Sequence, residues 1–489
     1  MAETWANGLD LHLDLTGTRV RVKLESELRE AIRSGRLRPQ TRLPSSRTLA
    51  ADLGIARNTV AEVYSQLVAE GWLAARTGSG TVVASPPEVS PEVSRAVPPP
   101  PERVADSSAG REPVTPLSRY DLRTGVPDLS LFPRREWLAA ARRALADAPD
   151  HLFGYGDPRG ITELRTVLAD YLARVRGVHA DPDRIVICTG FKHGLDVVSR
   201  ALRATGCDTM AIEEYGHRLH RTIVAGQGLK IRLLPVDGSG AVLSAAGHGD
   251  DGAGAMLLTP AHQFPLGVAL SPARRRALAA RAGIVIEDDY DGEFRYDRQP
   301  VGAVQALAPD RVIYAGTASK SLAPGVHLSW LVVPPRLLDP VLAVISGTPS
   351  VVDQLTLASF ITSGDYDRHI RRARLSYRRR RDKLVAAMAG LGLRVSGIAA
   401  GLHANLEFDH KDVEYFVTAR AAQHGVAVSG LDEFTAEGAS GQRAGLVVGY
   451  GGPPDHAYTA ALARLTAVLA SLPARHTGTS RPAGVTGRS

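Results

Sequence analysis

Between Ser85 and Pro116 the chain carries nine prolines in 32 positions, four of them consecutive at Pro98 to Pro101. Proline fixes φ and has no amide proton, so this stretch resists helix and sheet, favours polyproline II and acts as a semi-rigid spacer. A chain of 489 residues divided in this way folds as separate units on either side. We expect a first unit over 1–84, a linker over 85–118, a second unit over 119–474 and a disordered Gly/Thr/Arg-rich tail over 475–489. With 44% hydrophobic and 22% charged residues, wholesale disorder is excluded.

In the first unit Leu24, Leu28 and Ile32 recur every fourth residue, the apolar face of a helix ending at Gly35. Ser45 or Ser46 caps a short helix carrying Leu49 and Leu53, and Gly54 permits the tight turn that follows. A second helix begins near Arg57 and packs through Val60, Tyr64 and Leu67. This spacing is a helix-turn-helix, whose second helix offers its first side chains to the major groove. Arg57 suits guanine and Asn58 adenine, each through two hydrogen bonds, with Thr59 beside them. Leu73 to Val83 reads as a hairpin with Thr77, Gly78, Ser79 and Gly80 at its tip, where the glycines let backbone approach DNA closely. Arg76 and Arg47, the latter beside the Ser45 cap, are candidates for phosphate contacts. From Arg19 to Ala84, 11 Lys/Arg stand against 6 Asp/Glu, a balance compatible with a polyanionic partner. Any one of these arginines is explained equally well by solvation of a small helical domain; the constellation points to double-stranded DNA.

From about Tyr120 to Ala474, apolar strand-like runs alternate with Ala/Leu/Arg-rich helical stretches, the pattern of an α/β domain. Strands are expected at Ile185–Cys188, Thr209–Ile212, Ala255–Leu258, Gly283–Ile286, Val312–Tyr314 and Leu328–Val333. Lys320 lies in GTASKSLAPG. A lysine that forms an imine with a cofactor needs a fixed position and a lowered pKa. A pyridoxal phosphate ring further requires a carboxylate at its nitrogen, a phenol at its ring oxygen and an anion cradle. Asp288, ending an apolar run, and Tyr290 suit the first two, whereas Asp289 and Asp291 read as a solvated acidic turn. Gly190, between strand Ile185–Thr189 and a helix at Phe191–Val198, offers backbone N–H groups to a phosphate.

RLPSSRTLA, the R-N-T-V helix start and EGWL…RTGSGT resemble the GntR family of bacterial regulators over Arg19 to Ala84. With YGDPRG at Tyr155–Gly160, TPAHQFPLG at Thr259–Gly267, IEDDYDGEFRY at Ile286–Tyr296 and GTASKSLAPG at Gly316–Gly325, nearly the whole chain resembles the MocR-type (GabR-like) branch of that family. The resemblance implies a winged helix-turn-helix fused to a fold-type-I, aminotransferase-like domain with a mainly parallel central sheet. It also implies a homodimer on a double-stranded operator with two half-sites, one subunit's DNA-binding arm reaching over its partner. By the same resemblance Lys320 is the Schiff-base lysine for pyridoxal 5'-phosphate, Asp288 the pyridinium partner and Tyr290 the ring-oxygen partner, and Tyr155 reaches the phosphate across the dimer interface.

Four positions depart from the family pattern. His327 replaces an arginine that clamps the phosphate; neutral imidazole does not replace a permanently charged fork. Phe191, Lys192 and His193 stand where a small residue and two glutamines are usual, and His217, with Tyr215 nearby, stands where an aromatic stacks on the ring. Val447 falls where related aminotransferases bind substrate carboxylate through arginine; the nearest basic residue is Arg443. Two consequences stay open. Lys192, in the first helical turn, supplies the charge lost at 327, or Phe191 crowds the phosphate and the pocket serves another ligand.

The first reading is therefore a transcriptional regulator sensing pyridoxal phosphate, an amine or an amino acid, retaining at most an aminotransferase half-reaction and no catalytic residues of its own. The alternatives are a regulator of the same fold that has lost the cofactor and senses another ligand, and a working aminotransferase. From Arg368 to Lys383 nine of sixteen residues are basic. Helical spacing sends Ile370, Leu375 and Tyr377 inward and the arginines outward, as a solvated connecting helix or a supplementary DNA track. Cys188 and Cys207 provide neither a disulfide framework nor zinc spacing, and no metal is expected. Without a signal peptide or an apolar run of spanning length, the expected location is cytoplasmic, with no membrane partner.

Overall fold

The computed structural model describes residues 20–33, 37, 39–76, 80–84, 120–246, 254–281, 283–296, 301–441 and 443–472. The linker expected over 85–118, the tail over 475–489 and Gly35 lie outside these residues, as do Thr77, Gly78, Ser79 and the side chain of Arg76.

Helix α1 (Val20–Arg33) buries Leu24 and Leu28, as its four-residue spacing predicts. Ser45 rather than Ser46 caps α2 (Ser46–Leu53), its hydroxyl accepting the Thr48 amide at 3.1 Å. Gly54 ends α2 at φ 64°, a left-handed turn that glycine adopts without Cβ strain. Helix α3 (Arg57–Glu70) then packs Val60, Tyr64 and Leu67 onto Leu24, Leu28 and Leu49. Strands β1 (Leu73–Arg76) and β2 (Gly80–Val83) pair antiparallel and complete the winged helix-turn-helix.

The second unit is built on seven strands: β3 (Ile185–Cys188), β4 (Thr209–Glu213), β5 (Lys230–Leu234), β6 (Ala255–Leu258), β7 (Ile284–Asp289), β8 (Val312–Thr317) and β9 (Ser329–Val332). Their order is β3-β9-β8-β7-β6-β4-β5, and β9 alone runs antiparallel to its neighbours. Helices α4 (Thr162–Arg176), α5 (Phe191–Ala204), α6 (Arg218–Gly226) and α7 (Pro272–Ala280) flank it. Strands β4, β7 and β8 run past the apolar cores expected for them and end in Glu213, Asp289 and Thr317. Their ladders continue into the polar residues because the sheet's carboxyl edge carries the ligand groups. A smaller antiparallel sheet, β10 (Val395–Ser396), β11 (His403–Phe408), β13 (Ala444–Gly449) and β12 (Ser429–Gly430) in spatial order, closes over that edge.

The basic run lies on α8 (Asp365–Gly390). Ile370 and Tyr377 face the core as expected, but Leu375 is 60% exposed and Arg380 is 2% exposed. Arg380 is drawn inward by Asp128, at 2.5 Å, and Asp455, at 2.8 Å from its Nε. Ala306 and Leu307 join the hydrophobic cluster of Leu67 and Trp72.

Candidate cofactor pocket and DNA-reading face

A cavity of about 580 Å³ opens where the carboxyl ends of the central strands meet the start of α5 and the smaller sheet. Lys320, Asp288, Tyr290, Gly190, Lys192, His217 and His327 all line it, although they are spread over more than a hundred residues of chain. Tyr155 does not; it is fully exposed on the surface of its own chain.

Side chains alternate along β7, so Asp288 turns to the cavity while Glu287 and Asp289 turn to the opposite face. Asp288 is 6% exposed, and no hydrogen bond among the described residues reaches its carboxylate. Burial raises its pKa well above the ordinary carboxylate range, opposed by the ammonium of Lys320. Lys320 is lowered by burial and by Lys192, with Asp288 and Asp291 opposing, and its Nζ donates to Gly125 O at 2.8 Å. The Tyr290 hydroxyl donates to the backbone oxygen of His262 at 3.0 Å and lies 3.1 Å from His262 Nδ1.

At the other end, Gly190 precedes α5 at φ 101°, and no side chain caps the helix there. A Cβ on Gly190 would meet nothing within 4 Å, and the first N–H groups of a helix have no intrahelical partner. Phe191 lines the cavity, and its ring packs on His220, 5.0 Å between centroids. Lys192 and His327 are both exposed at the cavity, His327 in the left-handed region at φ 49°. His217 stacks on Phe264 at 4.3 Å and 15°. Burial, then Lys320 and Lys192, depress its pKa to about 4, so it is neutral at pH 7. Val447 is fully buried in an apolar cluster with Tyr215, Phe264 and Tyr290.

Asp289 and Asp291 are not a solvated turn. Both are buried, Asp289 receiving Arg176 Nε at 2.6 Å and the Tyr314 hydroxyl at 2.7 Å, and Asp291 lying 2.8 Å from His262 Nδ1. Sequence reasoning missed His262, Asp291 and His403, whose ligand-type atoms lie within 4.8 Å of one another. Hydrogen bonds already engage His262 and Asp291, so the group is a polar network behind Tyr290. It also missed Glu213, which accepts the Thr259 amide at 3.1 Å and hydroxyl at 2.6 Å and is raised by burial to about 7. The signal was available for His262 and Asp291, which fall inside TPAHQFPLG and IEDDYDGEFRY.

On the DNA-binding unit, Arg57 and Asn58 are exposed at the first turn of α3, and Thr59 is half-buried beside them. Arg47 is exposed on α2, one turn from the Ser45 cap, and Gly80 is exposed at φ 88° where β2 begins. No helix among the described residues is long and apolar enough to cross a membrane.

Residues 21–83 match the model of the bacterial regulatory proteins of the gntR family, and residues 117–444 that of aminotransferase class I and II. The HTH-type pyridoxine biosynthesis transcriptional regulator PdxR of Corynebacterium glutamicum is 33% identical over 89% of this chain and 92% of its own length. The probable rhizopine catabolism regulatory protein MocR of Rhizobium meliloti is 35% identical over 74% and 76% respectively. Among solved structures, the kynurenine aminotransferase of Pyrococcus horikoshii shares the fold at a TM-score of 0.64 and 22% identity, covering 72% of this chain and 91% of that one. With a gntR-type DNA-binding unit, an aminotransferase-type core and these relatives along most of its length, the chain belongs to the MocR/PdxR family of HTH-type transcriptional regulators.

Proposed function

We propose that this regulator senses its signal in the cavity around Lys320, with pyridoxal phosphate as the resident group. The observation that carries the reading is Asp288, a buried carboxylate aimed into the cavity with no hydrogen-bonding partner among the described residues. Leaving such a group unpaired is costly, and a protonated ring nitrogen would satisfy it. The uncapped start of α5 at Gly190 fits a phosphate in the same way. Lys192 and His327 would share the charge that an arginine usually supplies, His217 would lie against the ring face, and Tyr290 would face the ring oxygen. When bound, pyridoxal phosphate supplies an aldehyde carbon that a lysine amine and an incoming effector amine can compete for.

The protein's part is to keep Lys320 poised. Its lowered pKa favours the neutral, nucleophilic amine, and Gly125 O holds that amine beside Asp288. The functional assembly in this reading is a homodimer on paired half-sites, with Tyr155 acting in the partner's pocket and the chain divided as 1–84, 85–118, 119–474 and 475–489. Arg57 and Asn58 read bases, Arg47 and Arg76 contact phosphate, and the 77–80 tip approaches the backbone. The C. glutamicum relative is named for pyridoxine biosynthesis, which supports the cofactor itself as the signal alongside an effector amine or amino acid. The test is the visible spectrum after incubation with pyridoxal phosphate, followed by borohydride reduction and peptide mass mapping. A visible band with the reduced adduct on Lys320 is expected; neither band nor adduct would move the reading to another ligand in the same cavity.

A further inference from the structure

The outward face of α8 takes no part in the cavity or in the base-reading turn of α3. It exposes Arg368, Arg371, Arg372, Arg378, Arg379 and Lys383, grouped around Leu375. At 3.6 residues per turn these cations occupy an arc of about 140° and a rise of about 22 Å. From 368 to 383 the one carboxylate is Asp382.

The cations are poorly matched by carboxylates. Arg368 bonds Asp365 at 2.7 Å, but Arg372 lies 3.5 Å from Glu136 and Arg378 4.0 Å from Asp382. Among the described residues no ion pair reaches Arg371, Arg379 or Lys383. Asp455, the carboxylate that feels Arg379, is already bonded by Ser376 and by Nε of Arg380. Like charges three and four residues apart, as at 368 with 371 and 372 and at 379 with 383, oppose a helix. The buried face outweighs that repulsion: Tyr366, Ile370, Tyr377 and Leu384 pack into the core, and Arg380 bonds Asp128. The cations therefore stand on a backbone fixed to the core.

We propose that this face is a second contact surface for double-stranded DNA, a track for phosphates flanking the sequence that α3 reads. Over about 22 Å one strand of a duplex passes about six phosphates, matching the six cations in number. Five of the six are arginines, whose planar fork bonds two phosphate oxygens at once. The gntR-type unit of the same chain delivers duplex to this surface, because a second contact on a tethered ligand forms at high effective concentration. Phosphate contacts add affinity and salt dependence without base preference. The cofactor reading plays no part in this assignment.

The experiment measures binding of the full-length protein to a random-sequence duplex of about 40 base pairs, longer than two adjacent half-sites, as a function of salt. Single-stranded RNA of equal length is the comparison, and melting temperatures establish folding. Combining Arg371→Gln, Arg378→Gln, Arg379→Gln and Lys383→Gln is expected to reduce the slope of log affinity against log salt by about 3–4, for one such helix per duplex. Between about 50 and 200 mM salt, affinity should then fall about a hundredfold less than in the parent. Arg394→Gln, at a side chain 87% exposed beside β10, should leave the slope unchanged. Should the four-site variant fail to fold, Arg371→Gln with Arg378→Gln, and Arg379→Gln with Lys383→Gln, should each give about half the change. A reduction below about 1 in the four-site variant, or an equal reduction in Arg394→Gln, would overturn the proposal. A loss on RNA as large as on the duplex would overturn it as well, by assigning the surface to RNA.

Discussion

Replacing Arg380 by methionine keeps the bulk of a buried side chain and removes its charge. Arg380 is 2% exposed and its partner Asp128 is 1% exposed, so the substitution strands a carboxylate that, among the described residues, only Ser130 still serves, through amide and hydroxyl bonds of 2.9 and 2.6 Å. It also frees Pro453 O, which Arg380 Nη1 bonds at 2.6 Å, and Asp455. Breaking a buried pair on one side costs about 3–5 kcal/mol, far more than the pair is worth against an apolar replacement of both partners. In a core of this size that corresponds to a fall in melting temperature of about 4–7 °C. The consequence reaches the cavity, because Asp128 lies three residues from Gly125, whose carbonyl holds Lys320. Borohydride-trapped adduct at Lys320 should therefore decline in Arg380→Met at temperatures where the protein is still folded. Adding Asp128→Asn should recover part of the stability by neutralising the stranded charge, a coupling that a double-mutant cycle measures. Arg378→Met, on the exposed side of α8, should stay within about 0.5 kcal/mol of the parent. A cost below about 1 kcal/mol for Arg380→Met, or no recovery with Asp128→Asn, would refute the internal role and return Arg380 to the solvated face.

Lys320→Ala is expected to abolish ligand response while leaving most of the DNA affinity, as read by operator binding with and without pyridoxal phosphate; an unchanged response would remove Lys320 from the sensing step. Arg57→Ala should weaken specific binding by about 1–3 kcal/mol if it reads a base, and an equal loss on random DNA would make it a phosphate contact. Burial raises Glu213 to about 7 from 4.5, so the folded state binds its proton more tightly and loses that stability as pH rises through this window. Glu213→Gln should gain on the parent by up to about 3 kcal/mol between pH 4.5 and 8 in urea denaturation, and parallel pH curves for the two proteins would refute the assignment.

Local spacing carried the elements that depend on it. The 24, 28, 32 repeat, the Gly54 turn and the apolar runs of the parallel strands were legible because periodicity and glycine conformation act within a few residues. Lys320 and Asp288 were legible as chemistry, and the fold unites them because β7 and β8 are parallel neighbours with Asp288 level with Ala315. Buried charge was not legible in the same way, because its partner is remote: Arg380 meets Asp128 across 252 positions, and Arg176 meets Asp289 across 113. Even so, α8 carried a sign of it. Tyr366, Ile370, Ala373, Tyr377, Arg380, Leu384 and Met388 form one buried stripe at spacings of three and four, and Leu375 falls off that stripe. The expectation drawn from helical spacing put Leu375 inside and the arginines outside; the observed stripe reverses 375 and 380, since 375 lies five residues from Ile370 and two from Tyr377. Strand β7 follows the same logic at period two, where Glu287 and Asp289 must face away from Asp288 whatever their charge. Burying two carboxylates there requires cations and amides on that side, and Arg176 and the 301–305 backbone supply them. The charge pattern that disguised the end of the strand as a solvated turn is thus the feature that ties the cavity wall to the 301–305 backbone.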